Sequence, residues 1–271
     1  MECCGELGED AFLRGASSGE KTAYELIAVF AARTTKDPHF FDTGTVGEQL
    51  LAAFLRDCFG AGQTTDFRVE EKAELFWRAG LLRDELSNHV MVYGIGGIGE
   101  DGIVHEGILG FLKRQEPLQL TLMTLKRLIK VYPQKGNDVY IVENPAVFAK
   151  LTKNRPEAAL LCGNGQIRLA ALTLLELFDQ KTHFFYGGDY DPEGLQIAQR
   201  LKERFGERMQ LWKYHRNFYV KYRSDVEISE KSLKKLERIY APELQDIKRE
   251  MLLQKKAAYQ EAMLEEYLKD T

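Results

Sequence analysis

Apolar positions recur at helical spacing through the first third of the chain and at strand spacing after it, and this change of period divides the sequence. From Lys21 onward, Leu26, Val29, Phe30 and Ala31 keep a helical repeat up to the Asp37-Pro38 break. Val46–Phe59 predicts a second helix, capped by Thr43 or Thr45 and closed near Gly60 and Gly62. A third spans Val69–Ala79, with Leu75 and Phe76 inward, and stops at Gly80. Residues 1–19 are rich in Gly, Ser and acids without periodicity, and disorder is expected there. Leu86–Ile95 reads as a strand and Pro117–Lys130 as a Thr-initiated helix with Leu122, Leu125, Leu128 and Ile129 on one side.

Beyond Pro133 the alternation is regular. Strands are expected at Val139–Val142, Ala158–Cys162, Thr182–Tyr186 and Met209–Tyr214, with helices between them at Pro145–Leu151, Ile167–Phe178 and Pro192–Phe205. Strands alternating with helices predict βαβ units around a parallel sheet. Glu227–Leu268 reads as a charged helical segment interrupted at Pro242. The expected organisation is therefore a disordered 1–19, a helical or mixed region 20–130, an α/β domain over 131–225 and a helical segment 226–271.

Composition narrows the class. Hydrophobic residues make up 44% of the 271, enough to bury a core. Lys and Arg number 37 against 41 Asp and Glu, a net charge of −4, so any nucleic-acid contact must be local. Cys3, Cys4, Cys58 and Cys162 form no CxxC pair and have no His cluster nearby, which argues against structural zinc and disulfides. The charge-free run Leu86–Gly99 is too short to span a membrane, and a cytoplasmic protein is expected.

The candidate chemistry lies where strands become helices. In Gly187-Gly188-Asp189-Tyr190-Asp191-Pro192-Glu193-Gly194, an extended backbone sends Asp189 and Asp191 to the same side, a geometry for a hard divalent cation. Pro192 suits a first helical position and Asp191 its cap; the ordinary alternative is that Asp191 caps and Asp189 is solvated. Glu143 ends another apolar strand, and in an open parallel sheet the carboxyl ends of the strands share one edge, where ligands bind. Three acids at that edge repel one another without a cation. Gly188 and Gly194 would let the backbone turn and admit a ligand, and Gly163 and Gly165, in Cys162-Gly163-Asn164-Gly165-Gln166, would form either a phosphate-facing turn or a plain one.

The order of strand and Glu143, strand and Gly163-x-Gly165, then strand and Asp189-x-Asp191-Pro192-x-Gly194 resembles the Toprim domain, in the form found in the A subunit of topoisomerase VI. Further stretches are similar to the JetD family, the nuclease subunits of Wadjet anti-plasmid defence systems. They are Asp37-Pro38-His39, Leu75-Phe76-Trp77 with Leu86-Ser87-Asn88, Leu120-Thr121-Leu122, Val142-Glu143-Asn144-Pro145, and Gly188-Asp189-Tyr190-Asp191 with Gly194-Leu195-Gln196-Ile197-Ala198. The resemblance implies a Rossmann-like α/β Toprim fold and a DNA endonuclease in which Glu143, Asp189 and Asp191 are catalytic and bind Mg²⁺ or Mn²⁺. It also implies SMC-like partner subunits that present circular plasmid DNA. Relatives carry a longer N-terminal part with a DNA-binding arm, so the resemblance implies either truncation here or greater reliance on partners. Cutting both strands with one site per chain suggests a homodimer. No tyrosine among Tyr24, Tyr93 and Tyr132 has the setting of a nucleophile, which favours hydrolysis by water; a catalytically silent scaffold is the alternative.

Three other features remain. Arg200–Arg223 holds eight basic and two acidic residues, a local balance of +6, interleaved with aromatics. Lys213, Arg216, Lys221 and Arg223 are its candidate DNA contacts, the alternative being a solvated face. Gly94-Ile95-Gly96-Gly97-Ile98-Gly99 matches a dinucleotide fingerprint in form, but no helical pattern follows it, and a flexible surface loop is expected. His183 is expected to be a packed core residue.

Overall fold

The computed structural model describes residues 24–59, 69–165 and 167–269. The chain divides after Asn88 into two compact units. The expectations for residues 1–19 and for the Gly60 and Gly62 helix stop lie outside the described residues.

The first unit holds strand β1 (Glu25–Leu26), helices α1 (Ile27–Thr35), α2 (Val46–Phe59) and α3 (Val69–Arg78), and strand β2 (Leu81–Leu82). The expected first helix begins later because Glu25 and Leu26 pair in parallel with Leu81 and Leu82. Thr45 caps α2 by accepting from Glu48 N at 3.1 Å. Phe30, Ala31, Leu51, Leu55, Phe76 and Leu81 form the core. Glu48 is buried beneath it and held by Lys72, Arg83 and the Gly44 N–H, a set that satisfies a carboxylate otherwise costly to bury.

In the second unit the order is β3 (His89–Tyr93), β4 (Ile95–Gly99), α4 (Glu106–Arg114), β5 (Leu118–Thr121), α5 (Leu122–Leu125), β6 (Leu128–Pro133) and β7 (Asp138–Val142). It continues with α6 (Pro145–Asn154), β8 (Ala159–Cys162), α7 (Leu169–Glu176), β9 (His183–Gly187), α8 (Pro192–Phe205) and β10 (Met209–Leu211). Short helices α9 (Arg216–Tyr222), α10 (Glu230–Leu233), α11 (Gln245–Gln254) and α12 (Leu264–Lys269) complete it. This is the α/β class read from the alternation.

Six strands form the central sheet in the order β10-β9-β7-β8-β3-β5. The four from β10 to β8 are mutually parallel, and β3 lies antiparallel to both β8 and β5. From β7 the chain crosses to β8 on one side and then to β9 on the other. Strand order thus reverses at β7, which is where an open α/β sheet leaves a crevice at its carboxyl edge. Phe184 meets Phe178 and Phe205 on one face, and Tyr140, Phe185 and Trp212 stack on the other.

Several expectations change. The central sheet takes β3 and β5 from the region expected to be separate and mainly helical, because Val90, Val92 and Leu120 bury only by pairing there. Pro117–Lys130 yields a single helical turn, N-capped by Thr121, between two strands; Leu118, Leu120 and Leu122 also alternate at period two, and tertiary pairing selects that reading. The glycine run is no surface loop. It forms β4, paired antiparallel with β6, where Gly96 leaves room for the Tyr132 ring. Glu227–Leu268 is broken into short pieces, with Lys255 in the left-handed conformation (φ 53°). His183 is exposed at the start of β9, facing Asp138 at 3.4 Å.

No helix among the described residues is long and apolar enough to cross a membrane. Gly94, between β3 and β4, has φ 66°, and a Cβ there would collide with the Ala158 carbonyl and Gln134. Gly94→Ala is expected to destabilise the protein by about 2 kcal/mol or more, measured as a shift in urea midpoint at unchanged m-value.

Candidate active site at the carboxyl ends of β7 and β9

Val142 ends β7 beside Gly187 of β9 and Cys162 of β8, so the residues that follow leave the sheet together. Glu143 follows β7 and is 6% exposed. Asn144 then caps α6, accepting from Ala146 N at 2.8 Å, with Pro145 at the first helical position. After β9 come Gly188 and Asp189, and Asp191 caps α8 by accepting from Gly194 N at 2.7 Å, with Pro192 next.

The glycines have steric reasons. A Cβ on Gly188 would strike the Glu143 carboxylate and the Tyr186 hydroxyl, and one on Gly194 would strike the Asp189 carbonyl. Gly163 and Gly165 take the plain-turn alternative. Their N–H groups donate to Val142 O at 2.8 Å and Glu143 O at 3.2 Å, so they tie the β8 turn to the β7 end rather than facing an anion.

Each acid has its own donor. The Tyr186 hydroxyl donates to Glu143 Oε1, Gln260 N donates to Asp189 Oδ1 at 2.8 Å, and Gly194 N serves Asp191. Among the described residues, no three His, Cys, Asp or Glu side chains are gathered into a ready ligand set. Their charges are nonetheless coupled. Burial pushes the Glu143 carboxyl up to about 8, the Tyr186 hydrogen bond opposes this, and repulsion from Asp189 and Asp191 adds to it. Asp189 is pushed up to about 6, chiefly by burial and then by Asp191, and Asp191 is raised by burial. The burial comes from an aromatic wall of Tyr186, Tyr190 and Tyr214; the last two stack at 4.6 Å, and Tyr214 donates to Asp189 O at 2.5 Å.

A family model described as "Protein of unknown function C-terminus (DUF2399)" matches residues 118–271, more than half of the chain. The chain belongs to the DUF2399 family. A second model, "Protein of unknown function N-terminus (DUF3323)", matches residues 11–97. No curated protein matches the chain.

The basic stretch of this DUF2399 chain is engaged internally. Arg216 pairs with Glu250 at 2.8 Å and Lys221 with Glu266 at 2.7 Å; Arg223 donates to Gln254 at 2.8 Å. Lys213, with φ 56°, places its Nζ 5.6 Å from the Phe218 ring centre. Two of the eight basic residues, Arg216 and Lys221, thus pair with acids of α11 and α12 that lie 34 and 45 residues downstream.

Sequence reasoning passed over Tyr186, Tyr259 and Gln260. Period-two alternation along β9 places Tyr186 on the same side as Gly188, a signal that was present. Tyr259 is half-buried, and its phenol is raised by burial and by the Asp191 and Asp189 charges. Nothing local marks Gln260, whose partners lie far away in sequence.

Two outcomes follow from this geometry. The folded state keeps the Glu143 and Asp189 protons to higher pH than the unfolded chain does, so unfolding releases protons and stability falls as pH rises from about 4 to 8. Glu143→Gln in cation-free buffer is expected to flatten that slope and raise the unfolding free energy at pH 8 by about 1 to 2 kcal/mol, read by urea titration at several pH values. For the basic stretch, replacing Lys213, Arg216 and Lys221 together by Ala is expected to shift the log K against log[salt] slope for DNA by less than about 1. Three phosphate contacts would shift it by about 2 to 3.

Proposed function

We propose that this chain is a DNA endonuclease dependent on a divalent cation, hydrolysing phosphodiester bonds with Glu143, Asp189 and Asp191. The observation that carries the reading is the placement of three mutually repelling carboxylates, Glu143 buried and Asp189 and Asp191 half-buried, at the carboxyl ends of adjacent parallel strands, where the strand order reverses. An all-carboxylate donor set suits Mg²⁺ or Mn²⁺, and a cation there would relieve the repulsion that adds to burial in raising Glu143 and Asp189. The acid order supports a site of Toprim type, and the sequence similarity to JetD supports a role as the plasmid-cleaving subunit of an SMC-like Wadjet complex, acting as a homodimer.

When bound, the cation neutralises charge on the phosphoryl oxygens and activates water. Asp189 and Asp191 are the residues that would hold it, with Glu143 joining them. The alternative role for Glu143, whose carboxyl burial pushes up when no cation is bound, is proton transfer toward a leaving oxygen. Tyr186 holds its carboxyl in place through the buried hydroxyl. That hydroxyl is committed to Glu143, which leaves water as the nucleophile this reading favours.

The test is cleavage of supercoiled plasmid with Mg²⁺, Mn²⁺ or chelator, by the chain alone and with the products of neighbouring genes. Cleavage is expected only with the cation. Asp189→Ala and Glu143→Ala are expected to lower it by roughly 100-fold or more while circular dichroism stays unchanged. DNA binding that needs no cation, with no nicking under any condition, would make the chain a silent scaffold instead.

A further inference from the structure

Gln260 lies on the C-terminal segment, more than a hundred residues from Glu143, and is fully buried. Its side-chain Oε1 accepts from Glu143 N and Asn144 N, both at 3.0 Å. Its Nε2 donates to Gly187 O at 2.7 Å, and its own backbone N–H donates to Asp189 Oδ1 at 2.8 Å. One residue therefore holds the end of β7, the end of β9 and the Asp189 carboxylate. The amide can do this in one orientation only, because two N–H groups face one of its ends and a carbonyl faces the other.

The backbone that carries Gln260 is itself fixed. Ala258 exchanges hydrogen bonds with Tyr190 at 2.8 and 3.0 Å, which pins the segment to the residue between Asp189 and Asp191. On its other edge Ser224 N donates to Ala257 O at 2.8 Å and Ile228 N to Lys255 O at 2.8 Å. Asn144 Nδ2 also reaches Glu261 Oε1 at 2.6 Å. The segment thus bridges both strand ends, and Gln260 sits at the centre of the bridge.

The geometry points to Gln260 as a positioning residue that sets the separation of Glu143 and Asp189 for a divalent cation. This rests on the functional reading above. A side chain that fixes ligands through hydrogen bonds acts on affinity, and losing such a partner costs about 10- to 100-fold in metal binding. Gln260→Ala removes the side-chain bonds. Leu174→Ala, a core truncation in α7 with no bond to either strand end, serves as a control for loss of stability.

Two measurements on the full chain test it. In cation-free buffer, amide hydrogen exchange at Glu143 and Asn144 is expected to quicken in Gln260→Ala relative to Leu160 in β8; equal protection overturns the clamp. Mn²⁺ titration followed by electron paramagnetic resonance, without DNA, is expected to show binding weakened at least 10-fold in Gln260→Ala and unchanged in Leu174→Ala. Wild-type binding with undiminished affinity in Gln260→Ala overturns the positioning role and leaves the functional reading intact. Absence of Mn²⁺ binding in the wild type overturns the functional reading instead, and the exchange rates then decide the clamp on their own.

Discussion

The second unit is organised around the cost of keeping three carboxylates, one buried and two half-buried, at one sheet edge. Burial alone makes the charged form of Glu143 unfavourable, and Asp189 and Asp191 add repulsion. Folding tolerates this because each acid receives a donor from elsewhere in the unit: a tyrosine on β9, a backbone N–H on the C-terminal segment and the first turn of α8. Remove the donors and the same residues would be unpaired charges at a sheet edge. The glycines at 188 and 194 exist for the same reason, since side chains there would occupy the space of the carboxylate or of the backbone it rests on.

That constraint explains why the C-terminal segment is not a peripheral helix. Continuous helix from Glu227 onward would satisfy its own backbone and offer nothing to the crevice. Breaking it at Pro242 and Lys255 frees an extended stretch whose N–H and C=O groups pair with Tyr190, and whose next residue reaches both strand ends. The acids of α11 and α12 meanwhile pair with Arg216 and Lys221, so that part of a stretch which looks like a basic patch in sequence is engaged within the fold. Local charge counts cannot see partners supplied from α11 and α12.

The first unit shows the same economy on a smaller scale. Glu48 lies under the core because Lys72, Arg83 and a backbone N–H converge on it from three segments. Its helical character was legible, since Leu51, Leu55, Leu75 and Phe76 recur at helical spacing and Thr45 caps α2.

The sequence by itself determined the alternation of strands and helices from Val139 to Phe205, the cap at Asp191, and the arrival of Glu143, Asp189 and Asp191 at strand ends. Those features depend on period, on capping chemistry and on the shared polarity of parallel strands, all of which are local. Only the tertiary structure decided that β3 and β5 join the sheet, that the Gly94–Gly99 run is a strand, and that Tyr186 and Gln260 serve the acids. These outcomes depend on which distant segment supplies a hydrogen-bond ladder, a ring or a donor, and a short apolar run that fits helix or strand equally well takes whichever form buries it. Pairing energy is paid out between segments far apart in sequence, so no window along the chain contains it.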